Sequence, residues 1–393
     1  MTAAAASRRG HGLMLGLVVA STVLGLMGTD LVLPAVPSLP EALGGDAATA
    51  QLVLAAYVAG TAGGLLAYGA LGDRFGVRAL LVASLVLTGV VSLACAGAPD
   101  LPTLVALRAV QGAVASGPAV FAPAIVRALY DEIGSVRALG LLGSIESLAP
   151  ALAPILGAWL LTFAGWQASF QLIGLLAFAL AAAFTLYRPL PATARRPSGS
   201  YARLLRDPVY LRYSLSHALT LGGLLVFVFG APAVIVRALG GDLSGFIAMQ
   251  VCGIATFIVA ANLAGRLSAR YGAERMIGLG TMIAAAGAVA ILAYALAGGR
   301  AVWVITLLFV PINTGLGLRG PPGFLRAILA SHGDDARGAA LVILGIVGVT
   351  AAGTAAVAPF IEQGLVPLAL ATATIEIGAV LALRLPRLTD TQP

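Results

Sequence analysis

Lysine is missing altogether: all 23 basic residues of this 393-residue chain are arginine. Charge of either sign is scarce, at 10% of residues, where an ordinary soluble domain carries roughly 25%. Cysteine is nearly absent too. Cys95 and Cys252 each lie inside an apolar run, so they read as small buried hydrophobes, and a disulfide framework or thiolate metal site is excluded. The three histidines, His11, His217 and His332, are too scattered to suggest a metal centre. No Gly-x-x-x-x-Gly-Lys-Ser/Thr loop occurs, which removes support for nucleotide-driven work. Nor is there a Ser-His-Asp arrangement, or a polar stretch long enough for a soluble catalytic domain. The net charge of +7 does not point to nucleic acid, because the arginines follow a topological pattern set out below.

What remains is hydrophobic: 60% of residues are apolar. They form runs of twenty or more residues separated by short charged bursts, long enough to cross a hydrocarbon core of about 30 Å. Backbone in lipid must satisfy its own hydrogen bonds, so the spans are helices or a closed barrel. Continuous apolar runs, unlike alternating ten-residue segments, exclude the barrel. The chain therefore reads as an all-α integral membrane protein. Arg8 and Arg9 precede an apolar run that continues from Leu13 to Pro37, too long for a cleaved leader, so this run is expected to be a retained first span.

The expected spans are 13–37, 48–70, 79–98, 102–126, 138–163, 167–187, 210–236, 244–265, 276–297, 301–325, 339–360 and 365–384. Nineteen arginines fall at the termini or in alternate loops containing Arg74, Arg127, Arg195, Arg270 and Arg337. Arg237 and Arg300 fall on the opposite side, and Arg108 and Arg319 are embedded. By the positive-inside rule both termini are expected in the cytoplasm. Residues 188–209, rich in Pro, Ser and Arg, sit at the sequence midpoint as a linker between a bundle at 1–187 and another at 210–393. Within it, Tyr201–Arg206 has the pattern of a short interfacial helix, with Arg203 and Arg206 towards lipid headgroups.

One segment occurs twice. Gly69-Ala-Leu-Gly-Asp73-Arg74-Phe-Gly76-Val-Arg78 returns, degraded, as Gly265-Arg-Leu-Ser-Ala-Arg-Tyr-Gly-Ala-Glu274, an offset of 196 residues and half the chain length. Each copy is a tight charged turn between two spans, and a duplicated bundle of this kind is the architecture of a carrier that rocks one half against the other.

The first copy resembles the signature between the second and third helices of the major facilitator superfamily, with Val77 where that family usually has a basic residue. Leu107-Arg108-x-x-Gln111-Gly112 is a second similarity. Ala149-Pro150-x-x-Ala153-Pro154-x-x-Gly157 looks like that family's antiporter motif, here carried by Pro150, Pro154 and Gly157, with Ala153 in place of a Gly. Asp30-Leu-Val-Leu-Pro34-Ala-Val-Pro37 and Ala124-Ile-Val-Arg127-Ala-Leu-Tyr130 are similar to the bicyclomycin/chloramphenicol-resistance (Bcr/CflA-like) subfamily of drug:proton antiporters.

The resemblance implies a major facilitator fold of twelve helices in two pseudo-symmetric six-helix bundles. It implies a proton-coupled exporter of small amphipathic compounds working by alternating access. The energy source would be the proton gradient, with no cofactor. Its partners would be a small-molecule substrate, protons and the lipid bilayer, without nucleic acid, and the protein a monomer in a bacterial cytoplasmic (inner) membrane. Other readings within that fold are a specific metabolite or siderophore exporter, or an importer. A membrane receptor or enzyme is the remote one.

Ionisable residues at membrane depth cost about 2.5–3.5 kcal/mol or more on insertion scales, so each requires a reason. Asp30 lies roughly 26 Å from the start of the first span at 1.5 Å per residue, and Arg108 sits at a similar height. The two are expected to pair, either as a structural ion pair or as a titrating carboxylate tuned by its arginine. Glu146 is a second proton-site candidate or a structural hydrogen-bonding group. The resemblance places Asp30, Tyr57, Arg108, Gln111, Phe121, His217, Phe227, Asn313 and Arg319 on helices that line a substrate cavity. Gly315-Leu-Gly-Leu-Arg319-Gly-Pro-Pro-Gly323 is expected to break its helix, with Arg319 binding an anionic substrate group, gating, or snorkelling. His217 alone reads as a packing residue ahead of a group titrating near neutral pH, and Glu376 is expected in a structural or lipid-boundary role. A cytoplasmic gate is expected from Gly69, Asp73, Arg74, Gly76 and Arg78, with Asp73 meeting the start of the eleventh span and Arg78 reaching Asp131 or Glu132.

Overall fold

A computed structural model describes residues 3–187 and 199–388. The part of the linker at 188–198, including Arg195, and the C-terminal 389–393 lie outside the described residues. Among the described residues, twelve helices are long and apolar enough to cross a membrane. We number them α1 (Gly10–Leu43), α2 (Ala47–Gly72), α3 (Val77–Ala96), α4 (Leu101–Leu129), α5 (Glu132–Ala164), α6 (Gln167–Leu186), α7 (Pro208–Ala238), α8 (Ser244–Tyr271), α9 (Ala273–Leu296), α10 (Val302–Leu329), α11 (Asp335–Gln363) and α12 (Leu365–Ala382). The apolar runs predict every one of them. Boundaries move most at α1, which continues to Leu43, at α5, which begins at Glu132 so that its polar first turn belongs to the helix, and at α8, which continues to Tyr271.

The sequence repeat is also a repeat of backbone. Ala47–Phe75 and Leu243–Tyr271 are both helices of 29 residues. Asp46 (φ −121°, ψ 171°) caps the first by accepting from Thr49 N, and Asp242 (φ −122°, ψ 171°) caps the second by accepting from Gly245 N. Both stop at a glycine with positive φ, Gly76 at 81° and Gly272 at 88°, each with ψ 144°, a region that a side chain would disfavour. Capping and stop signals are thus conserved through the duplication where the charges between them are not.

Five spans depart from regular α-helix, α11 among them where Ala358–Gln363 follows Val357 as a 3-10 turn. In α1 the helix runs to Asp30 and resumes as a 3-10 turn at Leu33–Ser38, because Pro34 and Pro37 cannot donate to the preceding turn. In α4 it divides at Ser116, and in α5 between Glu146 and Ala149, ahead of Pro150. The end of α7 is a π-turn at Val234–Ala238. By contrast α10 is one helix from Val302 to Leu329, straight through Pro311, Pro321 and Pro322. The expected break at Arg319 is therefore corrected. Buried neighbours surround Gly320, Pro321 and Pro322, and packing of that kind lets membrane helices keep their path through prolines.

Two compact units emerge from the contacts. Unit 1 comprises 1–129, 145–199 and 334–340; unit 2 comprises 130–144, 200–333 and 341–393. Each unit therefore includes the opening turns of one helix from the other half of the chain. In unit 1, α2 and α4 pack backbone to backbone, since a Cβ at Gly60, Gly64 or Gly112 would collide with the carbonyls of Ala109, Ala113 and Tyr57. Small residues at such spacing are what bring membrane helices together. Unit 2 is centred on Phe227 stacked on Phe309, ring centroids 5.2 Å apart, among Met249, Ile291, Ile312 and Leu368. The short helix Tyr201–Leu204 also belongs to unit 2. Arg203 there donates to the carbonyl of Ser331 at 3.4 Å, so its guanidinium has a protein partner and not only lipid headgroups.

Candidate functional site

Arg108 is the centre of unit 1. Its side chain is fully buried on α4. Nη1 donates to Gly28 O at 2.9 Å and to Gln111 Oε1 at 2.6 Å, and Nε donates to Val53 O at 3.1 Å. The Tyr57 ring lies 4.2 Å from the guanidinium carbon and Phe170 lies 5.7 Å away. Gln111 in turn donates to Ser92 Oγ at 2.7 Å and receives a weak Cys95 Sγ contact at 3.7 Å. One arginine thus ties α1, α2 and α4 together, and Gln111 extends the network to α3. The planar fork of Arg suits such divergent acceptors where Lys would not. Sequence reasoning found Arg108 and Gln111 but missed Ser92 and Cys95, whose only signal is their position on the buried face of α3.

Asp30 does not pair with Arg108. No hydrogen bond or ion pair joins them. Tyr57 is instead the residue within electrostatic range of both, its hydroxyl donating to Gly25 O at 2.7 Å. The correction has a simple cause: backbone carbonyls and Gln111 take Nε and Nη1, Nη2 is left without a hydrogen bond, and the ring of Tyr57 covers the guanidinium. Asp30 is left half-buried at the last turn of its helix, where the chain leaves helical geometry. That break is held from behind. Ser169 Oγ donates to Leu31 O at 3.1 Å, and Gly157 lets α5 press against the same carbonyl, which a Cβ there would strike. Pro150 opens the second segment of α5 and Pro154 lies inside it, so the antiporter-like motif packs on the backbone that presents Asp30.

Glu146 ends the first segment of α5, and its carboxylate meets the Thr22 hydroxyl of α1. Two carboxylates, Asp30 and Glu146, therefore stand at breaks in α1 and α5 within the same unit.

The other cavity candidates sit in the packed interiors of their own units. Phe121 is fully buried and meets Tyr68 edge-on, centroids 5.9 Å apart. Phe227 belongs to the unit 2 core, and Asn313 Nδ2 donates to Phe309 O at 3.1 Å. His217 is buried and stacks on Phe324 at 5.3 Å. Arg319 is fully buried, with Nη1 donating to Ser216 O at 3.0 Å. Glu376 is also fully buried, which removes the lipid-boundary half of its expected role. The signal was present: Glu376 falls on the helical stripe of Leu365, Leu368, Ala369, Thr372, Ala373 and Ala379 that α12 buries.

The repeated loop meets the transferred segments. In unit 1, Gly69 and Gly72 close α2, and a Cβ at Gly72 would stand 3.2 Å from Ala336 Cβ. Arg337 Nη2 donates to Ala70 O at 3.2 Å, and Arg127 pairs with Asp335 at 2.7 Å. The start of α11 is thus held without invoking Asp73, whose side chain lies outside the described residues. Arg74 is exposed, and Arg78 donates to the carbonyls of Phe184 and Thr185 at 3.1 and 2.9 Å, gripping the end of α6. In unit 2, Asp131 Oδ1 accepts from Gly134 N at 2.7 Å, and Glu132 pairs with Arg326 at 3.0 Å. Asn262 Nδ2 donates to Ser144 Oγ at 2.9 Å. The second loop copy is wired inward: Glu274 pairs with Arg212 at 3.2 Å and accepts from Tyr213 Oη. Arg212 also donates to the carbonyls of Leu383 and Leu385.

Comparison with known proteins agrees with this architecture. The family model described as Major Facilitator Superfamily matches residues 18–373, and the chain belongs to that superfamily. It is 31% identical over 270 residues to a chloramphenicol resistance protein of Pseudomonas aeruginosa, covering 67% of this chain and 64% of that one. A bicyclomycin resistance protein homolog of Haemophilus influenzae is 26% identical over 260 residues, covering 64% and 65%. The chain thus spans just under two thirds of the length of these relatives. Among solved structures, the transporter FucP in the outward conformation superposes with a TM-score of 0.72 at 16% identity, covering 95% of this chain and 99% of that one. At that identity the likeness establishes the fold.

Proposed function

We propose that the chain is a proton-coupled secondary transporter that exports small amphipathic compounds by alternating access, as a monomer in a bacterial cytoplasmic membrane with both termini inside. The observation that carries this reading is Asp30. It is a half-buried carboxylate at membrane depth with no ion-pair or hydrogen-bond partner among the described residues, placed where α1 unwinds. An ionised carboxylate is costly there, so a proton or a cationic or polar substrate group competes for it, and that competition is what links the two fluxes. Arg108 acts as the fixed anchor beneath it, and Glu146 is a second carboxylate for the proton path. Tyr57 and Gln111 set the polar floor. The proton gradient supplies the energy, without a cofactor.

The moving parts are the six-helix halves at 1–187 and 210–393, joined by 188–209. Gating is assigned to the contacts at Gly69–Arg78 with α11, and to Glu132 with Arg326 beside Asp131, which caps its own turn. Each would have to release for the halves to part. The names of the relatives support a drug substrate. The reading as a carrier of a specific anionic ligand rested on Arg319. That guanidinium is fully buried within unit 2 with Nη1 on the Ser216 carbonyl, which speaks against that alternative.

The test is purified protein in liposomes with an imposed pH gradient and labelled chloramphenicol. Accumulation that follows the gradient and collapses with a protonophore is expected; accumulation indifferent to the gradient would overturn the proton-coupled reading.

A further inference from the structure

Unit 2 contains a buried polar cluster whose groups do not satisfy one another. It is built around α7, which packs on both α10 and α12. Arg319 spends Nη1 on the Ser216 carbonyl, while its Nε and Nη2 are buried without a hydrogen-bond partner. Both carboxyl oxygens of Glu376 are buried without one, as are His217 Nδ1 and Ser216 Oγ. Glu376 and His217 are each within electrostatic range of Arg319. Two glycines make the room: a Cβ at Gly323 would stand 2.9 Å from Arg319 Nη2, and one at Gly223 would stand 3.1 Å from Glu376 Oε1.

Other charges are committed elsewhere. Helix α12 packs on α7 and α9. The titratable residues of α7 besides His217 are Tyr210, Arg212, Tyr213 and Arg237, and those of α9 are Glu274, Arg275 and Tyr294. Arg212 and Tyr213 bind Glu274 near the end of α12, and Arg237 pairs with Glu362. Arg319 is the one that acts on Glu376. A buried carboxylate without hydrogen bonds or an ion-pair contact is too costly to persist as an anion. A carboxylate also rules out a bound anion, and the neighbouring guanidinium rules out a metal cation. The occupant that fits is a proton.

We propose that Glu376 is a further proton-binding site of this protein, apart from Asp30 and Glu146, with Arg319 as the residue that governs its occupancy. With the proton bound, Glu376 is a neutral carboxyl and Arg319 rests on Ser216. Loss of the proton to water leaves a carboxylate, which Arg319 neutralises by turning its free Nε and Nη2 towards it. The site deepens the proton-coupled reading and rests on it for its use in transport, but its occupancy is measurable without any substrate.

The experiment is infrared difference spectroscopy of the purified full-length protein over a pH series. At neutral pH we expect a protonated-carboxyl carbonyl band that is lost in Glu376→Gln and retained in Asp30→Asn and Glu146→Gln. In Arg319→Gln that band should persist to more alkaline pH than in the wild type, and in Arg319→Lys it should follow the wild type. Glu376→Gln mimics the neutral form, so its melting temperature at neutral pH should equal that of the wild type. A band unchanged by Glu376→Gln, a band in Arg319→Gln that titrates as in wild type, or a marked loss of thermal stability in Glu376→Gln would each overturn the proposal.

Discussion

The two units share one frame and use their buried arginine differently. Asp46 and Asp242, and Gly76 and Gly272, repeat the same capping and stopping geometry, so the duplication fixed the helices. Inside that frame Arg108 has three acceptors and two aromatic rings around it, whereas Arg319 has one acceptor and two idle nitrogens. A buried charge bonded to three helices is a structural pivot, even with one nitrogen, Arg108 Nη2, left without a partner. One that is left with unused donors next to an unpartnered carboxyl is poised to change partner. Duplication kept the scaffold and allowed the interiors to diverge.

Paired substitutions test this contrast. The largest effect is expected from Arg108→Lys, which cannot reach diverging acceptors on α1, α2 and α4. Each buried carbonyl left unbonded costs about 1–3 kcal/mol, so thermal melts in detergent should show severe loss of folded protein. Arg319→Lys forfeits one such bond, and its melting temperature should fall much less. Equal losses would break the comparison.

Next come the glycines four residues beyond each arginine. In Gly112→Ala the new methyl meets the Tyr57 backbone carbonyl across the α2–α4 contact, and forced overpacking costs roughly 1–3 kcal/mol. In Gly323→Ala it meets the tip of the Arg319 side chain, which can turn away. Melting should therefore drop clearly for Gly112→Ala and little for Gly323→Ala.

The smallest effect should be the same in both units. Asp46 is held below the usual carboxylate range by the Thr49 backbone N–H and then its side chain, and Asp242 by the Gly245 backbone N–H and then the Ser244 hydroxyl. Such depressed groups stabilise the fold above their unfolded value, and the contribution is lost as pH falls through the lowered folded value. Asp46→Asn and Asp242→Asn should each lower the melting temperature slightly at neutral pH, by similar amounts. The difference from wild type should shrink as the carboxylates protonate in acid. Unequal losses would show that the frames have diverged as well.

The frame was legible in the sequence because length, apolarity, the 196-residue repeat and the cap residues act locally. Arg108 was legible as a charge inside an apolar span, and Gln111 through the resemblance of its motif to the superfamily's. The Asp30–Arg108 pair failed because similar depth says nothing of what stands between; Tyr57 does. The break at Arg319 failed because proline rules describe isolated helices, whereas α10 is enclosed by neighbours. Phe121 and Phe227 were placed on cavity helices, but a helix number does not say which face is turned inward. Glu376 needed its helical stripe of small residues to be read as a buried face.

The central claim is that Asp30 couples proton movement to substrate movement without being needed for the fold. The most direct measurement compares two assays of Asp30→Asn in liposomes: exchange of labelled for unlabelled chloramphenicol with no pH gradient, and accumulation driven by a gradient. The account predicts that exchange survives while gradient-driven accumulation is abolished. Gradient-driven accumulation at the wild-type level would contradict it.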